Sequence, residues 1–170
     1  MKNISLLLIA SLFLVCCKSA NETVAASSKQ TQVTSPCPVQ TDCRFEILKD
    51  KSLVVKTDDT GHNYFNIIDA PGKTVLKYTH KKITDANLVD AGYSETLAFE
   101  IDDTTKDLNL TGTAIQKTKM VLNIACFCRG KAGVYKIEEG ILTYKDNMLH
   151  IEIPQLVDGQ ATRTVDVVVR

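Results

Sequence analysis

An alternation of polar and apolar residues with a period of two runs through most of the chain, and it constrains the fold more than any other feature. In "SETLAFEID" it places Leu97, Phe99 and Ile101 on one side and Glu100 and Asp102 on the other, solvent-facing side. Successive side chains of a strand point to opposite faces, so this pattern is typical of a half-buried strand. The same pattern gives inward positions at Phe45, Ile47, Leu53, Val55, Leu149, Ile151, Ile153, Val165, Val167 and Val169.

Turn-forming residues separate these segments at short intervals, as in "DDTGHN", "APGK", "RGKAG" and "VDGQ". Short connections favour antiparallel neighbours, and a long meander avoids exposed edges by closing into a barrel or packing as two sheets. We therefore predict an all-β fold, an antiparallel meander of about nine or ten strands that forms a small barrel or a two-sheet sandwich.

The N-terminal segment "MKNISLLLIASLFLVCC" has a basic start and a short apolar run. The run is too short to cross a membrane, which takes about 17–25 apolar residues, and it is typical of an export signal. Its end in "LVCC" resembles the lipobox of bacterial lipoproteins. We predict a lipoprotein signal peptide at 1–16 and a lipidated, palmitate-bearing Cys17; ordinary cleavage without lipid is the alternative. Lipidation of Cys17 rather than Cys16 leaves an even number of cysteines.

The segment that follows is polar. Residues 18–36 contain ten Ser, Thr, Asn or Gln among 19 residues and no aromatic residue. Such a composition buries too little apolar area to offset the entropy lost on ordering. We predict a flexible tether at 17–36 and a single β domain at 37–170.

The charge balance excludes one class of partner. Lys plus Arg and Asp plus Glu are 20 each, and removing the signal with Lys2 leaves a mature net charge of 19 − 20 = −1. Nucleic-acid binding needs a basic stripe, so we expect no nucleic acid as partner.

The four remaining cysteines are Cys37, Cys43, Cys126 and Cys128. Alternation places Cys126 and Cys128 on the core face of one strand, where residues two apart have Cβ atoms about 6.5 Å apart, whereas a disulfide needs about 3.5–4.5 Å. The sequence therefore predicts two crosslinks from Cys37 and Cys43 to Cys126 and Cys128.

Two alternatives remain for these cysteines. Pairing Cys37 with Cys43 and Cys126 with Cys128 requires a strained Cys-x-Cys ring, which would be easily reduced and redox-active. A thiolate cluster of all four would suit copper(I) or zinc, but the spacings are not those of structural zinc sites.

No other motif carries chemistry. His62, His80 and His150 lack metal-ligand spacing and are expected to be surface or hydrogen-bonded edge residues. The segment "CFCRGKAG" lacks the order of a phosphate loop, so Gly130 and Gly133 are expected to supply positive φ in a turn. The sequence predicts no catalytic residue, no metal site and no cofactor.

The segments "ACFCRGKAGVYKI", "CPVQTDCRFEILKDKSL" and "AGYSETLAFEID" resemble a set of uncharacterised small lipoproteins of Bacteroidota with similar Cys-Phe-Cys and Gly-x-Tyr-Lys segments. The resemblance covers about residues 37 to 140 and implies a cell-envelope setting, with no activity or site to transfer.

Together these features predict a lipid-anchored domain exported to the bacterial cell envelope, as an outer-membrane lipoprotein. Its expected role is non-enzymatic: it binds a small apolar ligand or a partner protein. The alternative role is a periplasmic thiol redox or soft-metal handling protein that uses Cys126 and Cys128.

Overall fold

The computed structural model describes residues 29–33, 35, 37–85, 87–88 and 90–169. Antiparallel strands dominate, and a single 3₁₀ helix, Gly112–Thr118, is present in this part of the chain. The predicted all-β fold is confirmed, with the strands arranged in two sheets. The strands are β1 (Lys29–Val33), β2 (Thr41–Thr57), β3 (Asn63–Lys82), β4 (Tyr93–Asp102), β5 (Leu108–Thr111), β6 (Val121–Cys126), β7 (Gly133–Lys136), β8 (Ile141–Lys145), β9 (Met148–Glu152) and β10 (Thr164–Val168).

Sheet A contains β2, β3, β4, β6 and β7, and sheet B contains β10, β9, β8 and β5. Strand β1 pairs with β2 through its first three residues and with β10 through its last two, so it belongs to both sheets. The two sheets are therefore joined at one corner by backbone hydrogen bonds.

The position of β1 corrects one prediction. Residues 29–33 were expected in a flexible tether, with the domain starting at residue 37, but here they form a strand of the fold. Ser35 also contacts the domain, since its backbone N–H donates to the carbonyl of Asp166 at 2.9 Å. Polar composition was misleading because β1 is held by backbone pairing on both sides.

One main core lies between the sheets, and it contains most of the inward positions predicted from alternation; Leu53 and Val55, which follow the register shift between Lys49 and Lys51, belong to a second core instead. Sheet A contributes Phe45, Leu97 and Phe99, all with no exposed area, and sheet B contributes the equally buried Ile151. The same cluster includes Leu76, Tyr78, Ile115, Met120, Leu122, Ile124, Ile137, Leu142, Leu149, Ile153, Val165 and Val167.

The long β2–β3 hairpin bends over the outer face of sheet A. A register shift between Lys49 and Lys51 marks the bend, where Asp50 has a positive φ of 54°. Beyond it, Leu53 packs with Val75, Ala98 and Val121 in a second, smaller core. Asn63 in the hairpin pairs with Val134 of β7, so the curled sheet closes on itself.

This bend corrects the prediction that Glu100 is solvated, because the hairpin covers it and leaves 6% of its area exposed. Its Oε2 accepts hydrogen bonds from Leu53 N at 2.8 Å and Ser52 Oγ at 2.7 Å, and its Oε1 lies 2.7 Å from Lys119 Nζ. Burial alone would raise the pKa of Glu100, but these contacts outweigh it and hold the pKa below its usual value.

Candidate functional site

The structure overturns the predicted cysteine pairing. Cys37 is bonded to Cys43, with Cα atoms 5.9 Å apart, and Cys126 is bonded to Cys128, with Cα atoms 5.2 Å apart. All four predicted cysteines therefore form disulfides, but each bond is local. The long crosslinks between the start of the domain and the strand around residue 126 are absent.

Strand order explains why the long crosslinks do not form. Cys43 on β2 pairs with His80 on β3, His80 with Glu95 on β4, and Glu95 with Ile124 on β6. Strands β2 and β6 are thus three strand spacings apart, roughly 14 Å at about 4.8 Å per strand. A disulfide tolerates a Cα separation of only about 7 Å.

The Cys126–Cys128 disulfide forms because the chain leaves the strand at that point. Strand β6 ends at Cys126, and a turn follows in which Gly130 has the predicted positive φ, 74°. Phe127 lies between the bonded cysteines with 85% of its area exposed. Cys126 packs on the main core, whereas Cys128 is partly buried beyond the end of the strand.

A groove of about 460 Å³ is lined in part by the three residues that follow this disulfide in the chain. One wall is the turn Arg129–Lys131 and the opposite wall is the segment Gln155–Asp158. The ammonium of Lys131 reaches towards the second wall, lying 3.8 Å from the place that a Cβ on Gly159 would occupy. The groove is open to solvent. Two cationic side chains, Arg129 and Lys131, and one carboxylate, Asp158, line it.

A buried carboxylate binds the backbone shortly after the second wall. Glu95 is fully buried and accepts hydrogen bonds from Ala161 N at 2.7 Å and Thr162 N at 2.6 Å. The Tyr93 hydroxyl also donates to Glu95. Burial alone would raise the pKa of Glu95, but these hydrogen bonds outweigh it, and the pKa lies below its usual value. Burial, together with the bond to Glu95, raises the pKa of Tyr93.

Tyr93 connects this buried acid to the disulfide. It lies directly opposite Cys126 in the β4–β6 pairing, so both side chains share one face of sheet A. The Lys82 ammonium sits 4.9 Å from the centre of the Tyr93 ring. The end of sheet A that bears the disulfide therefore also holds a cation, a phenol and a buried carboxylate.

His80 has the same alternation as the buried Leu76 and Tyr78, but its burial was not predicted. It was expected at a surface or hydrogen-bonded edge, but it is buried, with 3% exposure, between β2 and β4. Its Nδ1 has no hydrogen-bond partner among the described residues. The third histidine, His150, lies elsewhere, on sheet B, and its Nδ1 is 2.6 Å from Asp166 Oδ1.

The alternation of strand β4 contained a signal for the buried Glu95, which was not predicted. Glu95 has the same parity as Leu97, Phe99 and Ile101, and the structure places it on their core-facing side. Its partners, Ala161 and Thr162, lie more than 60 residues away, so the sequence pattern could not supply them.

Several predictions concern residues that the structure does not describe. The signal peptide at 1–16, the lipidated Cys17 and the tether before residue 29 lie outside the described residues. In the described part of the chain, no helix is long and apolar enough to cross a membrane. Within those same residues, no group of three or more His, Cys, Asp or Glu side chains is arranged to hold a metal ion.

No protein-family model matches this chain, and comparisons with curated proteins and with solved structures found no similar protein.

Proposed function

We propose that this chain is a thiol–disulfide exchange protein of the bacterial cell envelope that acts through Cys126 and Cys128. One observation carries the proposal: the disulfide bridges a single residue in an exposed turn. Extended backbone holds the Cβ atoms of such residues about 6.5 Å apart, so closing the small ring forces the chain out of its strand geometry. Constrained or exposed disulfides are the readily reduced ones, which suits exchange rather than stabilisation.

The exchange needs a partner protein that carries two thiols. A partner thiolate attacks Cys128 Sγ, the Cys126–Cys128 bond breaks, and Cys126 leaves as a thiolate while a mixed disulfide forms with Cys128. The second partner thiolate then attacks the partner's own sulfur in that mixed disulfide and releases Cys128. The partner loses two electrons and becomes a disulfide, and this chain gains two electrons; the partner's two thiol protons end on Cys126 and Cys128.

The surroundings of the two sulfurs suit these roles. Cys128 lies beyond the end of the strand and outside the main core and is the target, whereas Cys126 packs on the core as the leaving group. The Lys82 ammonium, held over the ring of Tyr93 opposite Cys126, places positive charge on the side where the thiolate forms. Export to an oxidising compartment, with a lipid on Cys17 and an outer-membrane location, would keep the resting chain in the disulfide form.

A redox titration of the full chain tests this proposal. We expect Cys126–Cys128 to equilibrate with glutathione buffers at about −180 to −230 mV, the range of exchange proteins, as read by alkylation and peptide mass spectrometry. The Cys37→Ser/Cys43→Ser variant should keep this transition, and the Cys126→Ser/Cys128→Ser variant should lose it. Reduction of Cys126–Cys128 only below about −300 mV, as for structural disulfides, would overturn the proposal.

A second candidate, binding of a partner protein without exchange, is favoured by one observation. Phe127 is 85% exposed on a turn fixed by a disulfide, and rigid aromatic side chains are common anchors at interfaces. Binding of a small apolar ligand has less support, because the larger groove is lined by Arg129, Lys131 and Asp158, and the cavity bordered by Val55, Met120 and Val121 has about 180 Å³. Ligand sites usually have about 300–1,000 Å³.

Photo-crosslinking distinguishes the two candidates. A photoreactive residue replaces Phe127 in cells that carry either the native cysteines or Cys126→Ser/Cys128→Ser. Capture of the same protein in both backgrounds supports binding alone. Capture together with a mixed disulfide that requires Cys128 supports exchange.

A further inference from the structure

We infer that the groove beside Cys128 binds an acidic segment of the partner polypeptide, next to the partner's reactive cysteine. This inference rests on the proposed exchange function and assigns its substrate class. The groove is bounded by Arg129–Lys131 and Gln155–Asp158, and its first lining residue, Arg129, directly follows Cys128 in the chain.

The charged side chains that line the groove indicate that its ligand is acidic. Arg129 and Lys131 line the groove together with one carboxylate, Asp158, which leaves one excess positive charge. No carboxylate of the described residues lies within 4.0 Å of either cation. Both cations are thus free to pair with an incoming acid, and Arg129 can bind a carboxylate through two parallel N–H donors.

Hydrogen bonds fix both walls before any ligand arrives. On the first wall, the Tyr135 hydroxyl donates to the Lys131 carbonyl at 2.9 Å, next to the disulfide. On the second wall, Gln160 Oε1 accepts from Leu156 N at 2.7 Å, and Gln160 Nε2 donates to the Thr162 carbonyl at 2.6 Å. A preformed groove costs less ordering entropy on binding than a flexible one.

Geometry places the acidic residue close to the attacking cysteine. A peptide whose thiolate attacks Cys128 extends by about 3.3 Å per residue in extended conformation. Side chains one to three positions from its cysteine therefore reach Arg129 and Lys131, while Phe127 contacts the other flank. An extended polypeptide with Asp or Glu next to cysteine fits these requirements.

The test compares three short peptides in which a cysteine is flanked by Glu, Gln or Lys. Each peptide's rate of exchange with the full chain is divided by its rate with the neutral disulfide 4,4′-dithiodipyridine, which removes differences in intrinsic thiol reactivity. We expect the Glu peptide to exceed the Gln peptide by about 5-fold at low salt and the Lys peptide to be slowest. The advantage should vanish in about 0.5 M salt, which screens exposed charges.

Variants locate the effect. Arg129→Gln/Lys131→Gln should abolish the preference for Glu, whereas Lys106→Gln/Lys117→Gln removes the same charge near the opposite end of sheet A and should retain it. Equal rates for the Glu and Gln peptides, or a preference that survives in Arg129→Gln/Lys131→Gln, would overturn the inference.

Two further measurements separate failure of the groove from failure of the exchange function. Dithiothreitol is neutral and does not need the groove, so its failure to reduce Cys126–Cys128 counts against the exchange function alone. Peptides with Ser in place of Cys report groove binding without chemistry, by fluorescence polarisation. Tighter binding of the Glu–Ser peptide than the Gln–Ser peptide supports the groove assignment, and equal binding contradicts it.

Discussion

Strand β4 carries two buried glutamates that hold different parts of the molecule. Glu95, on the core side, binds the backbone of Ala161 and Thr162, just before β10 of sheet B. Glu100, on the opposite side, binds Leu53 and Ser52 of the bent β2–β3 hairpin, which belongs to sheet A. Glu95 therefore ties one sheet to the other, whereas Glu100 ties a sheet to its own folded-over edge.

The two acids are also stabilised by different donors. Glu100 has a cation, Lys119, whose side chain is 46% exposed and can return to water if the acid is lost. Glu95 has only neutral donors among the described residues: two backbone N–H groups and the Tyr93 hydroxyl. Loss of Glu95 leaves the buried Thr162 N–H and the partly buried Tyr93 hydroxyl without this acceptor, whereas Ala161 is exposed, so the same residue type should contribute unequally at the two sites.

The largest expected effect is therefore that of Glu95→Ala. We expect it to lower the free energy of unfolding by about 2–4 kcal/mol, because it leaves the buried Thr162 N–H and the Tyr93 hydroxyl without their acceptor. Glu100→Ala should cost less, about 1–3 kcal/mol, because it leaves one buried donor, Leu53 N–H, without an acceptor while Lys119 regains hydration. Urea denaturation of the two variants measures both values, and equal costs would contradict the difference in donors.

Glu95→Gln is the matched control for shape. The amide keeps the volume and one acceptor oxygen, but its NH₂ group faces an N–H donor, so an intermediate loss is expected. Peptide exchange at the groove provides a second readout. Glu95→Gln should weaken the preference for Glu peptides if the Gln155–Asp158 wall depends on Glu95, and Glu100→Gln should leave it unchanged.

How far the sequence predicts this structure depends on how local each feature is. Leu97, Phe99 and Ile101 were placed correctly because side-chain alternation is a property of one strand. The cysteine pairing was wrong because it depends on the order β2–β3–β4–β6, which alternation does not contain. Glu100 was placed in solvent because nothing local reveals that the hairpin bends over that face.

The candidate site was predictable only in part. The pair Cys126 and Cys128 was recognised, as was the turn at Gly130, since both are short motifs. The groove was not predicted, because its second wall comes from a segment about 25 residues later, and the residues that follow this wall, Ala161 and Thr162, are held by the remote Glu95. Burial of His80 likewise required knowledge of its two neighbouring strands.

Strand β1 provides a second tie between the sheets, made of backbone alone, and its removal is the next largest expected effect. A chain that starts at Cys37 lacks β1 and exposes the edges of β2 and β10. We expect its Tm to fall by about 5 °C, equivalent to ~1–2 kcal/mol. A chain that starts at Lys29 is the control, and the same Tm for both chains would show that β1 adds no stability.

Acid should weaken both glutamate ties. A carboxylate whose folded pKa lies below its unfolded value stabilises the fold above the unfolded pKa, about 4.3–4.5, and this contribution is lost as pH falls through the folded pKa. Thermal melts from about pH 6 to pH 3 should show a steep loss in the native chain. We expect a shallower loss in Glu95→Gln and in Glu100→Gln, and an unchanged slope in both would contradict the assigned carboxylate contacts.

The smallest expected effect concerns a tie at the surface of sheet B, where β9, β10 and Ser35 meet. His150 Nδ1 lies 2.6 Å from Asp166 Oδ1, and His150 Nε2 lies 3.1 Å from Glu152 Oε1. The Asp166 contact raises the pKa of His150, burial opposes this, and Glu152 adds to it.

A histidine with a raised folded pKa stabilises the fold fully below its unfolded pKa, about 6.5, and this contribution is lost as pH rises through the folded pKa. The imidazole is partly exposed, so solvent screens the pair, and His150→Gln should lower the Tm by only about 1–2 °C near pH 5.5 and by nothing measurable near pH 9. His62→Gln, in the exposed β2–β3 turn, controls for loss of a histidine elsewhere. A deficit in His150→Gln that is the same at both pH values would mean that His150 acts by packing rather than through its charged contact with Asp166 across β9 and β10.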